Sequence, residues 1–391
     1  MKRKKVLLVA VKMALAAVLL TWVLGKTHWR DYVVTPAAKT YPVLRHLPAR
    51  EAYLVSTGML WWRAEREIPC RDLVPADDSA AEAKYLHKGF ASCIVGINRV
   101  LLALAIGSFL CQVLVTAVRW WVLLHIQNIV VALWEAVRLT FLGTFFNFIV
   151  PGTVGGDLVK AYYVSKHTPQ KAAVLVSIFV DRFLGFAELS LLSAGMTAAA
   201  LLVGLSDADQ LARPIVAIAV VLAALGLVLT FLLSARFRRA LHLQKLYGRL
   251  PIAHHIVAAG DAVGLYRRRM GTLGKAVALT VVAHVFFVGA IALVGMSLSL
   301  DVPWYSYFIF VPLIYIAAAV PVTPGGVGVI EGLYVALFVS ARCTSSQILA
   351  LALLARAIPM FWALPGAIVA VTGPRLPEVE VIEAELGIED D

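Results

Sequence analysis

Apolar residues in this chain come in blocks of about the ~20 residues that a helix needs to cross a bilayer, which excludes most water-soluble folds. The blocks are residues 6–24, 97–118, 172–203, 215–233, 273–296 and 347–371. Composition agrees, with 61% hydrophobic and only 15% charged residues and a mean hydropathy of +0.84. A soluble globular domain carries roughly 25% charged residues. The expected fold class is an all-α polytopic membrane protein with about six full transmembrane helices.

The first block follows Lys2, Arg3, Lys4 and Lys5, a layout that a cleaved leader peptide shares. The length of the apolar run and the poor cleavage site Thr21-Trp22-Val23-Leu24 favour an uncleaved anchor, residues 1–24.

Two further apolar stretches, 139–163 and 305–340, are interrupted by Pro and Gly. The first contains Asn147-Phe148-Ile149-Val150-Pro151-Gly152-Thr153-Val154-Gly155-Gly156-Asp157. The second contains Pro321-Val322-Thr323-Pro324-Gly325-Gly326-Val327-Gly328-Val329-Ile330-Glu331. Proline removes a backbone donor and glycine weakens a helix, so neither stretch crosses lipid as a simple exposed rod. Both are expected to be broken or re-entrant.

Lys and Arg in short loops favour the cytoplasmic side. The loop 235–275 carries nine of them (Arg236, Arg238, Arg239, Lys245, Arg249, Arg267, Arg268, Arg269 and Lys275) against the single acid Asp261. With the basic N-terminus it is expected inside, as is the end of the first broken stretch with Lys160, Lys166 and Lys171. The connections at 206–209 and 299–301 lack Lys and Arg and are expected outside. Both termini are then cytoplasmic, in a bacterial-type inner membrane. The net charge of +11 is chiefly this orientation signal. Nine cations facing an anionic leaflet also suit contact with lipid headgroups, although topology alone accounts for them. No nucleic-acid module is recognisable. The acidic tail, 374–391, reads as a solvated end.

Residues 25–90 form a hydrophilic exoplasmic insert with mixed charges and the aromatics Trp29, Trp61 and Trp62. Passive surface elaboration is the simpler reading of it, and a lid the alternative. Cys70 and Cys93 lie on the outer side, where a disulfide is permitted, though spacing alone does not establish its geometry. Cys111 and Cys343 are expected to be free thiols.

The two broken stretches resemble each other. Each runs apolar segment, Pro-Gly, further Gly, then one carboxylate: Pro151-Gly152 with Gly155 and Gly156 leads to Asp157, and Pro324-Gly325 with Gly326 and Gly328 leads to Glu331. On the expected topology they enter from opposite sides, as an inverted repeat of discontinuous helices, and transporters of that architecture place their substrate site at the breaks. Accessible amides at helix N-termini suit an anionic group such as a lipid phosphate. Asp157 and Glu331 need cationic partners at such depth, and Arg182, Arg119 and Arg356 are the candidates. Asp181, Gly185 and Glu188 share one helix face. Structural ion pairing within the bundle is the competing account of these charges.

Arg119-Trp120, Asn147 to Pro151, Gly155-Gly156-Asp157 with Lys160 and Tyr162, Asp181-Arg182, and Pro324 to Gly332 together resemble the lysylphosphatidylglycerol synthase transmembrane-region family, often described as flippase-like. The similarity covers about residues 97–371. It implies a domain spanning 91–373 that handles lipid, with Asp157, Glu331, Arg182, Arg356, Arg119, Asp181, Lys160 and Asn147 contacting or gating a headgroup. Three features depart from the family pattern. Asp181 stands where Glu is more usual and Lys160 where Arg is common, changing reach and bidentate geometry; the insert is long; and the soluble aminoacyl-transferase domain of the fused members is missing.

The expected function is therefore a lipid flippase or lipid-headgroup transporter. Its partners are membrane lipids with anionic or modified headgroups, among them polyisoprenyl-linked or hopanoid lipids, and a lipid-biosynthetic enzyme is a candidate partner. No Gly-x4-Gly-Lys-Ser/Thr loop is present, so movement is downhill or coupled to protons through the buried carboxylates. No cofactor or metal is expected. One alternative is a membrane-embedded lipid-phosphate transferase with Asp157 or Glu331 as general base, but His254-His255 lies in the basic loop and His284 is alone in an apolar span, where a helix-contact role comes first. The other is a non-transporting partner of a lipid-modifying enzyme.

Overall fold

The computed structural model describes residues 2–57, 64–75, 85–149, 155–166, 168, 170–205, 208–233, 264–266, 268–320, 322–340 and 342–372. Pro151, Gly152, Pro321, Trp61, Trp62, the acidic tail and most of the basic loop lie outside the described residues. The chain divides into two compact units, each built from separated segments.

The first unit comprises Met1–Ala105, Ile291–Ser306 and Gly326–Ala357. It opens with helix α1 (Lys2–Gly25). The insert follows as a four-stranded antiparallel meander in the order β1 (Tyr32–Val34), β2 (Thr40–Leu47), β3 (Ala52–Thr57) and β4 (Ala64–Pro69). No strand was expected here. Each strand is short, and β2 alternates exposed with partly buried residues, a pattern only a small one-sided sheet requires. Val33, Tyr53, Val55, Ile68 and Leu73 form its core, with a register shift between Val43 and Arg45 in the β2–β3 pairing.

The chain returns where it left. Tyr32 and His87 exchange backbone hydrogen bonds, and the Phe90 and Ala91 amides donate to the carbonyls of His28 and Trp29. Gly89 sits so close to this crossing that a Cβ there would lie 2.3 Å from the Arg30 carbonyl carbon, and its amide donates to Asp31 Oδ1 at 2.7 Å. Helix α2 (Phe90–Val95) then leads to α3 (Arg99–Ile126). All four cysteines are free thiols, so the Cys70–Cys93 bridge is not formed: Cys70 sits in the turn after β4, its amide on the Glu51 carbonyl, while Cys93 is buried in α2.

Helix α10 (Val329–Phe338) packs on α1 in the same unit. Gly328, at φ +80°, is the point of closest approach: a Cβ there would lie 2.6 Å from the Leu19 Cβ and 3.0 Å from the Ala16 carbonyl oxygen. Only glycine satisfies both the backbone angle and the space. The first turns of α11 (Ser345–Thr372) join this unit, where the Ser346 hydroxyl accepts the His28 amide at 2.9 Å.

The second unit comprises Ile106–Ala290, Tyr307–Gly325 and Ile358–Asp391. It holds most of α3, α4 (Leu133–Ile149), α5 (Gly155–Ser165), α6 (Lys171–Leu202), α7 (Ala208–Leu233), most of α8 (Met270–Ser297), α9 (Trp304–Ala318) from Tyr307 onward, and the end of α11. Trp120, Leu123, Leu139, Leu142, Val159 and Tyr162 are at its core. Helices α4 and α5 make a tight hairpin, because Gly143 and Gly156 meet backbone to backbone; a Cβ on Gly156 would stand 2.0 Å from the Gly143 carbonyl oxygen. Gly366 gives α11 an equally close approach to Phe141 of α4. Arg269, from the basic segment, donates to the His125 carbonyl at 3.1 Å and to Asn128 Oδ1 at 2.8 Å, a cation closing the C-terminus of α3.

All six expected spans are helical. Among the described residues α3, α8 and α11 are long and apolar enough to cross a membrane by length and composition alone. Helix α6, at 32 residues, is long enough but carries Asp181, Arg182 and Glu188 in its middle. Apart from the small sheet of the insert, the protein is all-α and polytopic.

Candidate functional site

The first Gly-rich break becomes the start of α5. Asn147 on α4 accepts the Gly156 amide through Oδ1 at 2.9 Å, satisfying one of the donors a helix N-terminus leaves open. Asn147 thus ties the start of α5 to the end of α4. Asp157 follows in the first turn of α5, where the helix dipole favours a carboxylate.

Asp157 is buried, with a side chain 9% exposed, and its Oδ2 accepts from Arg182 Nε at 2.5 Å while Lys160 Nζ lies 4.0 Å from Oδ1. The Lys160 ammonium also stands 5.1 Å from the centre of the Trp120 ring, a cation–π contact. One residue before Arg182, Asp181 accepts from Arg119 Nε of α3 at 2.8 Å, with both side chains buried. Five charged groups are therefore gathered in this unit, three cations and two anions. Arg182 is the open member, its side chain 40% exposed. The Trp120 indole N–H, fully buried, meets no acceptor among the described residues.

Glu331 and Arg356 build a matching arrangement in the first unit. Gly325, Gly326 and Gly328 all adopt positive φ, which turns the chain into α10. Glu331 sits in the first turn of α10, only 1% exposed. Its Oε2 accepts the Gly328 amide at 2.7 Å and its Oε1 accepts from Arg356 Nε at 2.6 Å. Arg356 also donates to the Gly326 carbonyl at 3.2 Å. Both oxygens of Glu331 are engaged, and the arginine is tied to the turn it stabilises.

The two constructions share one design. In each, glycines stand at or just before the start of a short helix with a carboxylate in its first turn, and the arginine that grips it through Nε lies 25 residues further on, in the following long helix. The copies differ in their surroundings. Tyr334 stands three residues after Glu331 where Lys160 follows Asp157, and Ala355 precedes Arg356 where Asp181 precedes Arg182.

The sequence brought forward Arg182, Arg119 and Arg356 as cationic partners without pairing them, and the structure matches them to Asp157, Asp181 and Glu331. It also joins two residues the sequence left apart. Glu188 of α6 hydrogen-bonds Nδ1 of His284 on α8, both side chains being buried. The sequence signal was present but diffuse: each is an ionisable group in an apolar span, and such groups need partners. Gly185 lies on the same face of α6, with His284 Cε1 3.9 Å from where a Cβ would be, an ordinary van der Waals distance. Among the described residues no group of three His, Cys, Asp or Glu side chains is placed to hold a metal ion.

A comparison with curated proteins finds no match. The family model described as lysylphosphatidylglycerol synthase TM region matches residues 86–366, and the chain belongs to that family of lipid-related membrane proteins.

Proposed function

We propose that the protein is a lipid flippase or lipid-headgroup transporter of a bacterial-type inner membrane, with both termini cytoplasmic and the β-sheet insert outside. The cluster around Asp157 carries the reading. Three cations against two carboxylates leave a formal excess of one positive charge in a largely buried setting. An uncompensated charge at membrane depth is costly, and the anionic headgroup of a lipid would neutralise it. Arg182, half open and already oriented by Asp157, is the group that meets the headgroup phosphate. Lys160 and the Trp120 N–H are further donors.

The cargo on this reading is a modified phospholipid or a polyisoprenyl- or hopanoid-type lipid, whose chains stay in the bilayer while the headgroup exchanges sides. Glu331 and Arg356 serve as a lock on the second glycine turn rather than as a headgroup site. The transferase alternative has less support, because a general base must reach the proton it takes and Glu331 is 1% exposed and ion-paired with Arg356.

The test is translocation of fluorescent phosphatidylglycerol and lysylphosphatidylglycerol in proteoliposomes containing the purified full-length protein. Asp157→Asn and Arg182→Gln are expected to reduce the rate at least about tenfold, the scale of one lost charged contact of ~1.4 kcal/mol. Wild-type rates in both Asp157→Asn and Arg182→Gln would show the site assignment to be wrong.

A further inference from the structure

We propose that the Glu188–His284 couple is the binding site of a coupling proton, a role that rests on the transport reading above. The two side chains come from different helices, α6 and α8, and meet by direct contact of the carboxylate with the imidazole Nδ1. Both are about nine-tenths buried. Neither hydrogen-bonds any other charged side chain among the described residues.

Histidine changes charge near neutral pH, so the couple has two states. Loaded, it is imidazolium with carboxylate and carries no net charge. Unloaded, the imidazole is neutral, keeps its Nδ1–H on Glu188 and leaves one negative charge. A solitary carboxylate in an apolar interior is costly. The loaded state therefore suits a closed bundle and the unloaded state one open to water. A proton that prefers one of two conformations shifts the balance between them.

The surrounding charges tie this proton to the headgroup. The charged and titratable groups that the neighbouring helices of this unit carry, besides the couple itself, are Cys111, Arg119 and His125 on α3, Asp157, Lys160, Tyr162 and Tyr163 on α5, Lys171, Asp181 and Arg182 on α6, Asp209 and Arg213 on α7, Lys275 on α8, and Tyr307 and Tyr315 on α9. Of these, the five clustered charges Arg119, Asp157, Lys160, Asp181 and Arg182 sum to one positive charge. Glu188 lies two turns along α6 from Asp181, about 10 Å at 1.5 Å per residue. With the proton bound, cluster and couple together carry one positive charge; once it leaves, they carry none. An anionic headgroup therefore binds more tightly to the loaded protein, and by reciprocity headgroup binding draws the proton in.

The experiment uses purified full-length protein in vesicles containing fluorescent phosphatidylglycerol, with the membrane potential clamped at zero and a pH gradient imposed. If one proton accompanies each lipid, the steady-state leaflet ratio in the wild type changes about tenfold per pH unit of gradient. Glu188→Gln and His284→Gln give a ratio that ignores the gradient, and the exchanged pair Glu188→His with His284→Glu restores the response. A wild-type ratio indifferent to the gradient, or single variants that keep the full response, overturns the proposal. Should the wild type move no lipid at all, the transport reading fails, and carbon-13 imidazole spectra of the wild type in nanodiscs decide the proton site separately. A His284 resonance, identified by its loss in His284→Gln, is expected to report both imidazolium and neutral imidazole as the bath is moved between acid and alkaline; one that reports a single form throughout overturns the assignment.

Discussion

At the scale of single residues, the buried ion pairs divide by how completely they are satisfied. Glu331 accepts from both Arg356 and the Gly328 amide, so removing its charge leaves a buried guanidinium unmatched. Breaking such a pair costs about 3–5 kcal/mol. Glu331→Gln is expected to lower the thermal midpoint of the purified protein more than Asp157→Asn does, because the Arg356 side chain left behind is 16% exposed against 40% for Arg182; equal losses in a melting assay would refute this ordering. A second prediction concerns Cys93, whose thiol burial raises from 9.0 to about 11. Between those values the unfolded chain has lost the proton and the folded one has kept it. The stability from the neutral thiol is thus whole below pH 9 and is lost as pH rises toward 11. Pulse alkylation should leave Cys93 unlabelled at pH 9 in folded protein and label it fully after denaturation, and rapid labelling of both would contradict its placement. The sequence exposed the charged residues because each interrupts an apolar run. It did not say which acid meets which base, since pairing across helices depends on how they pack.

At the scale of elements, the six apolar blocks all became helices, as their length dictates. The insert did not yield its sheet to inspection, because its strands bury only part of one face and their partners are set by turns. Arg50, for example, meets Glu67 at 2.8 Å only once β3 and β4 have paired. The glycine-rich breaks were legible as breaks, but the reason for individual glycines was not. Gly156 is needed for contact with Gly143 in the α4–α5 hairpin, and Gly328 for contact with α1. Gly156→Ala is expected to splay the hairpin, since a Cβ would fall 2.0 Å from a backbone oxygen that cannot swing aside. A drop of several degrees in melting temperature together with loss of headgroup translocation is the expected result, and an alanine variant as stable and active as wild type would contradict the packing.

At the scale of the whole molecule, the repeated carboxylate-to-arginine spacing of 25 residues marks two copies of one construction that have specialised differently. The copy around Asp157 carries more charge, with Lys160, Asp181 and the Glu188–His284 couple. The copy around Glu331 became a sealed cap. The proposed orientation is checked by single cysteines at Ser165 and Ser345 in a background free of the native thiols. Ser165→Cys is expected to react with an impermeant maleimide from the cytoplasmic side and Ser345→Cys from the outer side; the reverse pattern would invert the topology. The contact of Gly328 with Leu19 and Ala16 also bears on the order of assembly. Helix α1 leaves the ribosome first, and its partner α10 follows roughly 300 residues later, a delay on the order of tens of seconds at about 5–20 residues per second. Through that interval the Ala16–Leu19 face of α1 lacks the partner it packs on in the folded protein, so a change in synthesis rate is expected to change the yield of folded protein.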